Sequence, residues 1–219
     1  MDKINLGTIG SSVIVHAFLD NVKITEGISL AAVYSRSRKT GQALADQYGA
    51  GEAYTDLDAF LSDSKVNTVY IATPNLLHYE QVKKALLAGK HVICEKPFCT
   101  KAAQARELVA LAKERRLFLV DAVPTAFLPH LEVLKSQLPK IGRVKLVQAN
   151  YSQYSSRYDL VKKGEMPNVF HPAFGGGCLM DINFYNVYLN VVLFGKPLDA
   201  VYYPNLYNGM ADTSGILIM

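Results

Sequence analysis

The first half of the chain alternates short apolar runs with stretches of helical periodicity. Ile4–Ile9, Leu30–Tyr34, Thr68–Ala72, His91–Cys94 and Leu117–Asp121 read as strands. Between them, Ser12–Asn21, Lys39–Tyr48, Leu76–Ala88 and Lys101–Arg115 read as helices, with a helical turn over Leu57–Leu61. Gly89 supplies a C-terminal stop for the third of these helices. Apolar strands that take turns with helices leave one economical architecture. It is a doubly wound parallel sheet with right-handed crossovers.

After Asp121 the rhythm changes. Thr125–Leu138 reads as a helix with a proline interruption, Arg143–Tyr154 as a longer strand with partial alternation, and Gly176–Phe194 as one long helix. The tail, Ala200–Met219, is tyrosine-rich and β-like. A domain boundary is expected near Ala122, giving a first domain over 1–121 and an α+β domain over 122–219. The last residues, Gly215–Met219, look like the middle of a strand, so the second domain is expected to be incomplete or to finish its sheet with a partner chain.

Half of the 219 residues are apolar, enough for a real core. The net charge of +4 is scattered, apart from Arg36–Lys39 and Lys113–Arg116, which argues against nucleic acid as a partner. No apolar run is long enough to span a membrane, and Met1–Ile4 does not open like a signal peptide. The expectation is a cytoplasmic protein. The three cysteines, Cys94, Cys99 and Cys178, suit a reducing compartment and lack the paired spacing of a zinc site, so no metal is expected.

The first strand runs into Gly10-Ser11-Ser12-Val13-Ile14-Val15. In a dinucleotide fold, glycines here make the tight turn and let a pyrophosphate approach a helix N-terminus. Gly10 fits the turn position, whereas Ser12 and Val15 replace the second and third glycines. Alone, the loop could equally be an ordinary strand-to-helix turn. The strand–helix–strand setting makes Gly10, Ser11, Ser12 and Val13 candidates for cofactor binding. An NAD site usually has an acid at the end of the second strand to hold the ribose 2′-hydroxyl. Here that end is Tyr34-Ser35-Arg36-Ser37-Arg38-Lys39. Ser35 and Arg36 could instead meet a 2′-phosphate, favouring NADP, with NAD possible. The bland reading is a solvated basic turn.

Two further strands end in chemistry-bearing residues. The strand from Thr68 runs into Thr73-Pro74-Asn75, with His78 one turn into the next helix. The strand from His91 ends in Glu95-Lys96-Pro97. Both lie where open α/β sheets bind ligands. A lone histidine is more often structural, and a lone lysine more often a surface charge.

The stretch "ATPNLLHYEQVKKALLAGKHVICEKP", together with "GGGCLMDINFYNVYL" over Gly175–Leu189, resembles the glucose-fructose oxidoreductase and inositol dehydrogenase family, Gfo/Idh/MocA. It is nearest to the branch that holds the dimeric dihydrodiol dehydrogenases. The resemblance covers essentially the whole chain. It implies an N-terminal Rossmann domain and a C-terminal α+β domain with an open, mainly antiparallel sheet, often used to form dimers or higher homo-oligomers. Relatives are commonly longer by about half again. The resemblance also implies that Lys96 faces the nicotinamide and the reacting hydroxyl, that Glu95 edges the nicotinamide pocket, and that the Lys96–Pro97 bond is cis. It implies an acid at Asp181 and a proton-transfer partner at Tyr185. An i, i+4 spacing would place both on one helical face. Hydride transfer at a carbinol carbon needs a group that moves the hydroxyl proton. Tyr185 could do so if Lys96 lowers its pKa. Alternatively Phe184, Tyr185, Tyr188 and Leu189 form a core stripe.

The reading is thus an NADP-dependent oxidoreductase acting on a CH–OH group of a sugar, polyol or cyclic diol. Catalysis is assigned to Lys96, Asp181 and Tyr185. Cofactor binding is assigned to Gly10, Ser11, Ser12, Val13, Ser35, Arg36, Thr73, Pro74, Asn75, His78, Glu95 and Lys96. The Gly175–Gly177 turn is expected to be a flexible lead into the long helix with its amides near the substrate. Further substrate contacts are expected from Tyr154, Arg157, Asn168, Phe170 and His171. The alternative is a non-catalytic nucleotide sensor on the same scaffold.

Overall fold

The central strand of the sheet shows why the first half folds as it does. β4 (Thr68–Ile71) is buried along its whole length, with Val69 and Ile71 against one face and Tyr70 against the other. Such a strand, apolar on both sides, is stable only between two layers of helices. The structure is a computed structural model that describes residues 3–219. It divides into two units, Met1–Ala122 and Val123–Met219.

The first unit runs β1 (Ile4–Ile9), α1 (Val13–Val22), β2 (Ile28–Tyr34), α2 (Arg38–Tyr48), β3 (Glu52–Tyr54), α3 (Leu57–Ser62), β4, α4 (Asn75–Leu87), β5 (His91–Glu95), α5 (Ala102–Arg115) and β6 (Leu119–Ala122). Its six strands pair in parallel in the order β3-β2-β1-β4-β5-β6. The chain winds outward to β3, then returns to β4 beside β1. The switch point between β1 and β4 is where such sheets open a crevice. One core joins Phe60, Val66, Val69, Ile71, Leu86 and Leu108. The opposite one joins Leu6, Val15, Leu19, Val33, Leu44 and Tyr70. The three-residue edge strand β3 is short enough to escape the periodicity of the sequence.

Local signals set the helix ends. Ser37 accepts from the Thr40 amide at 3.3 Å to cap α2, and Gly49 closes that helix in the left-handed region at φ 72°. Asp56 caps α3 through the Ala59 amide at 2.7 Å. Gly89, at φ 75°, follows α4 as expected.

The second unit contains the short 3₁₀ turn Pro124–Phe127, α6 (Pro129–Gln137), the 3₁₀ turn Leu138–Ile141, α7 (Tyr158–Lys162), the 3₁₀ turn Pro172–Phe174, α8 (Cys178–Asp181), α9 (Asn183–Phe194), β7 (Val201–Tyr207) and β8 (Ala211–Ile218). β7 and β8 form an antiparallel hairpin.

Two expectations fail here. Residues 143–154 form no strand, because no described strand offers them a ladder, and a strand exists only through its partner's hydrogen bonds. The expected single helix over Gly176–Phe194 starts at Cys178 and breaks at Ile182, at φ −102°. The Asp181 amide still makes the ordinary α-helical bond, to the Gly177 carbonyl, but the Tyr185 amide reaches only three residues back, to the Ile182 carbonyl, a tighter turn than a continuous α-helix makes. Asp181 ends one helix and Tyr185 belongs to the next, so uninterrupted i, i+4 geometry does not relate them. Among the described residues no helix is long and apolar enough to cross a membrane.

Candidate active site

Gly10 ends the turn after β1 at φ 117°, a conformation that side chains avoid. A Cβ there would lie 2.6 Å from the Ala72 carbonyl oxygen at the end of β4. Its amide contacts the Tyr34 carbonyl at 3.4 Å, and the Ala72 amide donates to Ile9 at 2.9 Å. Gly10 is therefore the point at which three strand ends converge, and only glycine fits it. Ser12 follows as the N-cap of α1, and its hydroxyl makes no capping bond. Ser11 is partly buried, while Ser12 and Val13 are exposed. The first turn of a helix leaves amides unsatisfied, and these suit a phosphate. Val15, at the position of the third glycine, is fully buried with Leu6 and Leu30. It has become part of the core, so the departure from the glycine pattern is absorbed away from the open end of the helix.

At the end of β2, Ser35 is buried, with its amide donating to Tyr54 at 3.0 Å and its Oγ accepting from the Ser37 amide at 3.3 Å. Arg36 is exposed. Arg38 is committed elsewhere, donating to the Ala53 carbonyl at 2.8 Å.

The ends of β4 and β5 are tied together by His78, which is fully buried. Its Nε2 lies 2.7 Å from the Thr73 carbonyl and its Nδ1 3.0 Å from the Pro97 carbonyl. Burial pushes the imidazole pKa down, against the pull of the two carbonyls. The histidine links the loop that carries Thr73, Pro74 and Asn75 to the corner that carries Lys96. The Lys96–Pro97 bond is cis. Thr73 Oγ1 donates to Gln81 at 2.6 Å. Glu95 accepts from the Tyr70 hydroxyl at 2.7 Å, and the Tyr70 ring stacks on Phe18 with centroids 4.0 Å apart. Burial, then the Glu95 charge, drives the Tyr70 phenol far up, so that it stays a donor.

The second unit holds a pocket of about 250 Å³ lined by Tyr154, Tyr158, Phe170, Cys178, Asp181 and Asn205, among others. Two of the expected substrate-loop residues, Tyr154 and Phe170, line it; Arg157, Asn168 and His171 do not. Tyr185 is outside its wall, partly buried against Tyr151 and Phe184 at ring distances of 5.5 and 6.1 Å. The Gly175–Gly177 turn is not the open lead into a helix that the sequence implies. Its three amides donate to the carbonyls of Pro172, His171 and Val169. A Cβ on Gly176 would lie 2.5 Å from the Asn168 and Val169 oxygens. Glycine is required here by close packing, and its donors are already used.

Two acids escaped the sequence reading. Asp212 of β8 accepts from the Leu179 amide at 2.7 Å and the Tyr202 hydroxyl at 2.8 Å, holding the start of α8 on the hairpin. A Cβ on Gly177 would collide with its carboxylate. Asp121, at the end of β6, was read merely as the end of a strand. Its carboxyl is pushed up to about 6, first by burial and then by Glu95, with Lys96 pulling the other way. The only signal in the sequence was an acid terminating an apolar run, as in β5.

Comparison with known proteins matches residues 4–121 to the family described as an oxidoreductase family with an NAD-binding Rossmann fold. The chain belongs to the Gfo/Idh/MocA oxidoreductase family. It is 40% identical over 213 residues to the scyllo-inositol 2-dehydrogenase (NADP(+)) IolU of Bacillus subtilis, covering 97% of this chain and 63% of that one. It is 31% identical over 194 residues to the trans-1,2-dihydrobenzene-1,2-diol dehydrogenase of Sus scrofa, covering 86% of this chain and 56% of the other. The fold matches the WlbA dehydrogenase of Bordetella pertussis, solved with NADH and UDP-GlcNAcA, at a TM-score of 0.85 and 22% identity, over 99% of this chain and 63% of that one. The chain thus spans about three fifths of the length of these Gfo/Idh/MocA relatives. The residues at its switch point fit a dinucleotide: Gly10 clears the approach, and the start of α1 offers amides and a hydroxyl. The lack of an acid after β2 departs from the usual NAD pattern.

Proposed function

We propose that the chain binds NADP on its first unit and belongs to an oxidoreductase that acts on a CH–OH group of a sugar, polyol or cyclic diol. The observation that carries the reading is the Glu95-Lys96-Pro97 corner. It leaves the carboxyl end of β5, two strands from the Gly10 turn, and is braced there by His78. IolU is named for NADP(+) and an inositol, and the porcine relative for a cyclic diol, which supports that substrate class.

Ser12 and the first amides of α1 would hold the pyrophosphate, Ser35 and Arg36 the 2′-phosphate, and Thr73, Pro74, Asn75 and Glu95 the nicotinamide half. Bound NADP supplies the hydride acceptor. Lys96 polarises the substrate hydroxyl, Tyr185 carries its proton, and Asp181 orients the substrate. His78 acts on the cofactor loops through Thr73 and Pro97. The second unit contributes substrate contacts and the surface for a homodimer or higher homo-oligomer. Three free thiols, Cys94, Cys99 and Cys178, support a cytoplasmic setting.

Steady-state kinetics with polyols and cyclic diols test the assignment. Lys96→Met and Tyr185→Phe should each lower turnover by on the order of 10²–10⁴-fold with little change in NADP affinity. The double variant should be little worse than either single one. Near-normal turnover in Tyr185→Phe would return the tyrosine to core packing against Tyr151 and Phe184.

A further inference from the structure

Lys96 follows β5, which lies between β4 and the edge strand β6. The β5–β6 register pairs Cys94 with Asp121 and Glu95 with Ala122. Asp121 therefore stands next to the last residues of β5, immediately before the Lys96–Pro97 corner. One of its carboxylate oxygens, Oδ1, is buried and has no hydrogen-bond partner. Leaving such an oxygen unmet costs about 1–3 kcal/mol. An amide or an apolar side chain would avoid the cost of a buried charge, so packing alone does not explain an acid here.

The groups that face Asp121 narrow the explanation. Two are the thiols of Cys94 and Cys99. Burial, with Asp121 adding to it, pushes both pKa values up, the second to about 11, so they stay neutral. The charged groups are Glu95, which opposes ionisation of Asp121, and Lys96, which favours it. Glu95 already has a donor in the Tyr70 hydroxyl. Charge coupling is reciprocal: whatever Lys96 contributes to the Asp121 carboxylate, the carboxylate contributes to the ammonium.

We propose that Asp121 is a positioning residue for Lys96, its carboxylate at the end of β6 holding the neighbouring amine in the charged form that polarises a substrate hydroxyl. The proposal rests on the role given to Lys96 above. With the Asp121 carboxyl pushed up to about 6, its charge beside Lys96 is present at neutral pH and is lost on mild acidification. The sequence conceals this pairing because the two residues are 25 positions apart and meet only through the parallel register.

Two readouts test it. In the first, the chain without cofactor is labelled with acetic anhydride from pH 7 to 11, and each lysine is followed by mass spectrometry. In Asp121→Asn the midpoint for Lys96 should move to lower pH, raising its labelling at pH 8 by about threefold or more. Asp121→Glu, which restores the charge, should return it toward the native rate. Lys84, bonded to Asp58 on the surface at 2.8 Å, is the internal reference. An unchanged Lys96 midpoint in Asp121→Asn overturns the proposal. In the second readout, the pH profile of kcat/KM with NADP should shift on its acid side in Asp121→Asn, and a limb that stays in place also overturns it. Absence of turnover in the native chain would defeat the catalytic role of Lys96, while the labelling experiment would still decide whether Asp121 holds its charge.

Discussion

At the scale of single residues, the site is built from positions where one side chain alone is tolerated or where a charge is expected and absent. Gly10 is the first kind, since any Cβ would meet the Ala72 carbonyl. The end of β2 is the second kind. Arg36 is exposed there, and no acid competes for a ribose hydroxyl. A charge-assisted hydrogen bond is worth roughly 1.5–3 kcal/mol. NADP should therefore bind about tenfold or more tightly than NAD, and Arg36→Ala should erase most of that difference. Calorimetric titration of both nucleotides checks this, and equal affinities in the native chain would remove Arg36 from the cofactor site. Arg38 is a poor substitute, because its guanidinium is already engaged at Ala53.

At the scale of elements, the loop after β4 and the corner after β5 are fastened by one buried ring. His78 lies on α4, yet its two nitrogens reach Thr73 and Pro97, five and nineteen positions away. Both partners are carbonyls, which only accept, so the ring satisfies both at once only when protonated. Burial opposes that protonation and lowers the folded-state pKa. A depressed histidine pKa contributes stability that is present above the unfolded value of about 6.5 and fades as pH falls. His78→Gln should lower stability at pH 7.5 by about 1–3 kcal/mol, because the carbonyl that the neutral ring's single N–H meets loses its buried donor geometry. The difference from the native chain should shrink at pH 5.5. Urea unfolding at the two pH values measures this; an equal loss at both would show that protonation of His78 has no part in it.

At the scale of the molecule, the β7–β8 hairpin is the exposed sheet of the second unit. Tyr203, Ile216 and Ile218 are 59%, 67% and 58% exposed. A two-stranded sheet with apolar side chains in water is marginal by itself, and its edges invite further strands. The chain should self-associate through this hairpin. Sedimentation should show a species larger than the monomer at micromolar concentration, and Ile216→Lys should shift it toward the monomer. A clean monomer in the native chain would count against the hairpin as an interface.

The alternation of apolar runs and helical periods determined the first unit almost completely. Burial on both faces makes parallel strands continuous in composition, so they are visible one by one. The Gly10 turn, the basic end of β2 and the Glu95-Lys96-Pro97 corner were legible because each is carried by consecutive residues. The second unit was less legible. Residues 143–154 have the alternation of a strand but no partner, and periodicity reports a side-chain pattern rather than a hydrogen bond. The break at Ile182 was hidden because no glycine or proline marks it, and Asp181 and Asn183, though weak helix formers, do not by themselves end a helix. Asp212 and Asp121 were invisible as site residues, since each acts on a group far away in sequence: Leu179 and Tyr202 for the first, the end of β5 for the second. Chemistry held by adjacent residues is written in the sequence. Chemistry held by neighbouring strands is decided by register, and register exists only once the sheet has formed.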